Sequence, residues 1–476
     1  MEKKACIFGA VGLAILLVVA IVLNEHAPSV SPANLAASII DSDNGDLKIN
    51  WNRYNKYDVS LSDESSLTIT SPGVYHLTGA AEYPVIVNAG TNAVKLILDN
   101  VAISNQSGPA IACYAAEDLV IELIGENELS DGSTYDGSYD EDVNGAIYSK
   151  SDLTFEGSGS AIITANYQDA IVGKDDLKFA SGSYEIVSAD DGIRGKDSVY
   201  IVDGKFNITS KEDAIKSTNA TTAGKGFVLI EGGDIEISSG DDGIHAETVL
   251  MINGGMIDIK KSYEGIESPR IIINDGNISI MASDDGINAG SSSDNTIATN
   301  QNEATSINQE IIINGGSVYV NAAGDGIDSN GYINFNGGIT VVDGPINNGN
   351  GALDATYGVL MTGGTVITVG SSGMAETLGS SSSVFNVSVY LTSARKAGTT
   401  IEIKDSAGST IIKHVSAKAF SHIAVGSESF NFGSTYSLYL DGEACQTFSI
   451  EDVTTTIGTP TSNQADPRNM PQRMTP

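Results

Sequence analysis

The stretch Ser188–Ser217, SADDGIRGKDSVYIVDGKFNITSKEDAIKS, contains one complete repeat and the start of the next. It holds three short strand-like pieces, DGIRG, SVYIVDG and KFNITSK, in which Val, Ile, Phe and Thr alternate with Gly, Asp, Asn and Ser. Its opening, an acidic pair followed by Gly and Ile, recurs in SGDDGIHAE ending at Glu247, KSYEGIES ending at Ser268, MASDDGINA ending at Ala289 and NAAGDGIDS ending at Ser329. Aligning on the residue before that Ile gives Ala146, Ala170, Gly192, Ala214, Gly243, Gly265, Gly286, Gly326 and Ala352. The base period is about 22 residues, with longer gaps where loops are inserted between turns. Three strands per turn at this length predict an all-β parallel β-helix, and no 3.6-residue periodicity competes with it.

The columns support that reading. Ile171, Ile193, Ile215, Ile244, Ile266, Ile287 and Ile327 stack in the interior. Two places on, the small residues Gly173, Gly195, Ser217, Ala246, Ser268, Ala289 and Ser329 face the same way. A second repeated turn reads Asp203-Gly204, Gly232-Gly233, Asn253-Gly254, Asp275-Gly276, Asn314-Gly315, Asn336-Gly337 and Gly363-Gly364, where glycine allows positive φ. The loops TNATTAGKG and SSSDNTIATNQNEATSINQ protrude from the corner after the acidic motif, and the acidic insert DGSTYDGSYDED lies one corner earlier.

Equivalent residues of successive turns lie about 4.8 Å apart in such a stack. The repeat therefore builds a ridge of Asp169, Asp190, Asp191, Glu212, Asp213, Asp241, Asp242, Glu264, Asp284, Asp285 and Asp325. Two unit charges at that spacing repel by about 1 kcal/mol in water and by several-fold more where solvent is partly excluded. Stacked hard oxygen ligands suit Ca2+. Beside the ridge runs an outward column, Arg194, Lys216, His245, Glu267, Asn288 and Asp328, with Glu247 two residues beyond His245. The candidate metal ligands are Asp190, Asp191, Asp213, Asp241, Asp242, Glu247, Glu264, Glu267, Asp284, Asp285 and Asp325. The competing reading is that each Asp before Gly caps a corner by accepting backbone amides, which accounts for one acid per turn but not for two. His245 on its own reads as a surface histidine without a metal role.

The chain has 476 residues and a formal net charge of −35, which disfavours a nucleic-acid partner and favours cations. Glu2-Lys3-Lys4 precedes an apolar run from Ala5 to Leu23, about the length of one bilayer span. The lysines predict a cytoplasmic N-terminus, and the segment reads as an uncleaved anchor in preference to a signal peptide. Cys6 opens that run, and Cys113 and Cys445 read as buried free thiols. Asn105, Asn207, Asn219, Asn277 and Asn386 begin Asn-x-Ser/Thr triplets.

The motifs DDGIRGKD, DDGIHAE, YEGIES and SDDGINA resemble a family of extracellular carbohydrate-binding β-helix proteins with a polysaccharide-lyase-like fold. The resemblance runs from about Ser60 to Ile450 and includes AGTTIEIKDSAGSTII and GSTYSLYLDGE. It implies a right-handed parallel β-helix, bound Ca2+ and affinity for cellulose or acidic plant polysaccharide such as polygalacturonate, with no established catalysis. Tyr263 and Gly324 stand where the first acid would be in two turns. The expected organisation is a membrane anchor or signal segment over 1–26, a linker and cap over 27–59, the β-helix over 60–372, a small C-terminal β-domain over 373–457 and a disordered tail over 458–476. Trp51, the single tryptophan, lies outside the repeats, which favours acidic or hydroxyl-rich glycans over crystalline cellulose. The expected product is an extracytoplasmic, membrane-tethered polysaccharide-binding protein. One alternative is a Ca2+-dependent lyase in which Arg194 or Lys216 removes the proton next to a uronate carboxyl. A second is a structural adhesin that Ca2+ stiffens.

Overall fold

The computed structural model describes residues 49–62, 66–290 and 309–459. The apolar run 5–23, most of the 27–59 linker, the loop 291–308 and the tail from 460 fall outside the described residues. Among those described, no helix is long and apolar enough to cross a membrane.

The described residues are all-β apart from a short 3-10 turn at Trp51–Arg53, and their strands pair turn upon turn. Twelve short strands, from Leu67–Ile69 to Leu353–Ala355, form one parallel sheet, while the other two strands of each turn join a 26-stranded sheet. Parallel pairing already begins at Lys56–Leu61, which lies beside Gly73–Ala81. These long parallel sheets have the register of a β-helix, because the pairing offset equals the sequence period. Ile193 pairs with Ile171 and Ile215, Ile244 with Ile215 and Ile266, and Ile287 with Ile266 and Ile327. All seven are fully buried. Each contributes roughly 1.5–3 kcal/mol by leaving water, so the column is a main source of stability. Phe155 and Phe179 stack at 4.9 Å elsewhere in the same core, as do Tyr184 and Phe206.

The second turn corrects the sequence reading by one residue in places. Positive φ falls at Gly255, Gly316 and Gly338, not at Gly254, Gly315 and Gly337. The cause is an amide ladder. Asn253 donates to Glu231, Asn274 to Asn253, Asn314 to Asn274 and Asn336 to Asn314, over 2.7–3.1 Å. Holding each Asn in line puts the reversal two residues later, where only glycine is comfortable.

Near the C-terminus the strands divide into two groups. Thr400–Asp405, Thr410–Val415, Thr435–Leu440 and Glu443–Ser449 make a separate four-stranded antiparallel sheet. Phe420–Ser427 instead pairs with Thr365–Gly370 of the last turn, and Asn386–Arg395 pairs with Phe420–Ser427, so both extend the solenoid sheet. Cys113 is buried as expected, but Cys445 lies exposed on the outermost strand of the four-stranded sheet.

Candidate functional site

The two acids of each repeat do different work. The second is buried in the upstream turns and half-buried in the downstream ones, and in most turns one of its oxygens caps the next turn. Asp169 Oδ1 accepts the amide of Asp191, Asp191 that of Asp213, and Asp213 that of Asp242, over 2.9–3.1 Å. Downstream, Asp285 accepts the amide of Asp325 at 2.6 Å and Asp325 that of Gly351 at 2.5 Å. Glu264, one methylene longer, is absent from this relay and accepts from the Asn288 side chain at 3.0 Å. The first acids form an outer ladder of Asp190, Glu212, Asp241, Tyr263, Asp284 and Gly324, tied by successive backbone bonds. Corner capping thus occupies the inner acid and leaves the outer one toward solvent.

Charge compensation splits the ridge into two halves. Upstream, the outward column supplies cations. Arg194 Nη2 lies 2.9 Å from Asp169 and Lys216 Nζ 2.5 Å from Asp213. His245 is buried, not on the surface as the sequence suggested, because it sits between carboxylates of two turns. Its Nδ1 is 3.1 Å from Asp242 and 2.7 Å from Glu267, and its Nε2 is 3.8 Å from Glu247. Burial alone would lower its pKa, but the bonds to Asp242, Glu247 and Glu267 outweigh it and push the value up to about 12. In this arrangement His245 serves as a counter-ion between the two turns, and Asp242, His245 and Glu267 also bring their ligand atoms within 4.8 Å of one another. A second acidic corner is closed in the same way by the inserted loop, whose Lys225 lies 2.9 Å from Asp176 and 3.7 Å from Asp197.

Downstream the column continues as Asn288, Asp328 and Asp354. Among the described residues no lysine or arginine pairs with Asp285, Asp325, Asp328, Asp354 or Glu376. Carboxylate oxygens of Asp285, Asp325 and Asp328 lie within 4.8 Å of one another. Burial, and then neighbouring carboxylates, push Asp325 to about 6, Asp328 to about 7 and Glu376 to about 7. Glu264, also buried among acids, rises to about 8. Gly324 explains how Asp284 and Asp285 converge: a Cβ there would stand 2.4 Å from an oxygen of each. The glycine in place of the first acid thus leaves room for two carboxylates. An oxygen-only group with no built-in cation fits a hard divalent ion such as Ca2+, whereas the upstream groups of Asp169, Asp190 and Asp191 and of Asp213, Asp241 and Asp242 are partly compensated by Arg194, Lys216 and His245.

Residues 63–297 match a family described as carbohydrate-binding domain-containing protein. A relative from Acetivibrio thermocellus with the same description is 33% identical over 164 residues, which are 33% of this chain and 55% of that protein. The chain therefore spans about half the length of that relative. A solved structure described as the polysaccharide lyase-like protein from C. thermocellum, a gadolinium derivative, is 28% identical, covers 47% of this chain and 96% of that one, and has a TM-score of 0.41. The carbohydrate-binding match takes in the ridge from Asp169 to Asp285, while Asp325, Asp328, Asp354 and Glu376 lie beyond it.

Of the candidate ligands, Asp285 and Asp325 gather downstream with Asp328, and Asp284 approaches Asp285 beside Gly324. Asp190 lies with Asp169 and Asp191, and Asp241 with Asp213 and Asp242. Glu247 and Glu267 serve His245. Asp328, which joins the downstream group, was not among the candidate ligands, and neither were the neighbouring acids Asp354 and Glu376. Leu353 fills the Ile slot, so Asp354 was readable from the repeat, whereas Glu376 comes from a segment with no period and accepts the Ala355 amide at 3.4 Å. Lys216 is held above its ordinary value by Asp213 despite burial, so it keeps its proton, the opposite of what a lyase base requires. Among the glycosylation triplets, Asn105, Asn219 and Asn386 are buried, whereas Asn207 and Asn277 are exposed.

Proposed function

We propose that the chain is an extracytoplasmic carbohydrate-binding protein for cellulose or acidic, polygalacturonate-like polysaccharide, and that Ca2+ takes part in binding. The reading is supported chiefly by the carbohydrate-binding match over residues 63–297, whose span includes most of the ridge. The ion would be held by Asp284, Asp285, Asp325 and Asp328, and it would supply positive charge toward uronate carboxylates on an otherwise acidic surface. Right-handed winding belongs to the same reading, since crossovers between parallel strands are right-handed in nearly all cases. So does tethering through the apolar run 5–23, which would carry the solenoid outside the membrane. The lyase alternative has less support, because Arg194 and Lys216 are each engaged in an ion pair with a buried ridge carboxylate.

The test is a glycan array probed with the whole chain in calcium and in chelator. Calcium-dependent capture of acidic polysaccharide is the expected result. Capture unaffected by chelator would remove calcium from the reading. No capture at all, alongside a calcium-dependent melting temperature, would favour the adhesin. Release of ultraviolet-absorbing unsaturated product from polygalacturonate would reinstate the lyase.

A further inference from the structure

The outer ladder runs acid, acid, acid, and then Tyr263, before Asp284 and the hollow at Gly324. Backbone bonds fix that order: the Tyr263 amide donates to Asp241 at 2.8 Å, the Asp284 amide to Tyr263 at 2.9 Å and the Gly324 amide to Asp284 at 2.8 Å. The Tyr263 side chain is 48% exposed, so its ring is available to solvent in the middle of a charged face. Its hydroxyl interacts with the Asp284 carboxylate of the next turn. A solvated carboxylate would have been the ordinary choice at this position, and an aromatic ring gains little there from burial.

We propose that Tyr263 is the stacking platform for one uronic-acid ring, whose carboxylate is thereby directed toward the ion that Asp284, Asp285, Asp325 and Asp328 would hold. A pyranose carries an apolar C–H face and hydroxyl edges. The exposed ring takes the face, while Asp241, one turn before, and Asp284, one turn after, flank it as acceptors for the hydroxyls. Neighbouring turns are about 4.8 Å apart, so ring and acids lie within the width of a single sugar. The inference rests on the carbohydrate reading above and adds the residue that sets ring position.

Three variants test it: Tyr263→Phe, Tyr263→Ala and Tyr263→Asp, the last restoring the acid of the repeat. Calcium binding is followed by calorimetry and by the melting-temperature rise, and oligogalacturonate binding by calorimetry in calcium. Tyr263→Phe is expected to bind the oligosaccharide within a few-fold of the parent. Tyr263→Ala and Tyr263→Asp are expected to lose at least about tenfold in oligosaccharide affinity, while calcium affinity is unchanged or, for the aspartate, higher. Alanine and aspartate variants that bind oligogalacturonate like the parent would overturn the platform and leave the carbohydrate reading standing. A parent protein that binds no glycan would overturn both. Equal losses of calcium and oligosaccharide binding in Tyr263→Ala would also overturn it, by showing that Tyr263 merely supports the acid group.

Discussion

At His245 the imidazole takes over the role that Arg194 and Lys216 play in the two preceding turns, neutralising the inner carboxylate of its own turn. It alone is almost completely buried, so its charge has no water to fall back on and depends on Asp242 and Glu267. Replacing one partner of such a buried group is costly because the other charges stay behind. His245→Gln is therefore expected to lose about 3–5 kcal/mol of stability in urea unfolding at neutral pH. A loss below about 1 kcal/mol would show that the imidazolium is dispensable. The downstream acids should behave in the opposite way. Asparagine at 325 and 328 keeps the shape and the acceptor for the Gly351 amide but removes two facing charges. In chelator, Asp325→Asn with Asp328→Asn should stabilise the fold by roughly 1–3 kcal/mol, the scale of two charges a few ångströms apart near a surface. The same pair should abolish the calcium-induced rise in melting temperature. An undiminished rise would place the ion elsewhere.

At the scale of strands and turns, what the sequence made legible was whatever repeats at the period. The Ile column and the outward column were readable because in this architecture sequence offset and pairing register are one quantity. His245's burial was not readable, since it depends on Glu267 and Glu247 closing around a side chain that looks solvent-facing in its own repeat. The Asn ladder was half readable: every member is visible, but Asp275-Gly276 has the same two-residue look as Asn253-Gly254, and the alignment slips by one. Only the hydrogen bonds from Asn274 to Asn253 and from Asn314 to Asn274 fix the correct column. The fate of Asn386–Arg395 and Phe420–Ser427 was hidden for a different reason. They join the solenoid sheet by antiparallel pairing, for which no period gives the partner. The ladder itself can be tested at one rung. Asn274→Ala removes a donor to Asn253 and an acceptor for Asn314 and should cost about 1–3 kcal/mol in thermal or urea unfolding. A change within about 0.5 kcal/mol, as for an ordinary surface site, would mean that water replaces the ladder without loss.

Across the whole molecule the ridge is an acid-rich column whose buried carboxylates hold protons more tightly than free ones. Burial, reinforced by neighbouring acids, holds Asp191 at about 7, Asp242 at about 7, Glu264 at about 8, Asp325 at about 6 and Asp328 at about 7. In the unfolded chain the same groups titrate near about 4. The folded state therefore binds protons that the unfolded chain has released. The stability these groups contribute is complete below about pH 4 and is lost as pH rises through about 6 to 8. Glu267 and Asp343 have the reverse sign. Burial would raise both, but His245 and His414 respectively outweigh it and hold them below their ordinary values, so their contribution is lost on acidification. In chelator the melting temperature should consequently pass through a maximum on the acid side of neutrality and fall toward about pH 8. If calcium binds the downstream acids as proposed, it replaces the departing protons, so the difference between calcium and chelator should be small near about pH 5 and grow steadily to about pH 8, because ligand binding requires the carboxylates to be free. Differential scanning fluorimetry of the parent across that range, in both conditions, measures it directly. A calcium effect of the same size at both ends would show that the ion is bound by carboxylates of ordinary acidity, away from the buried ridge.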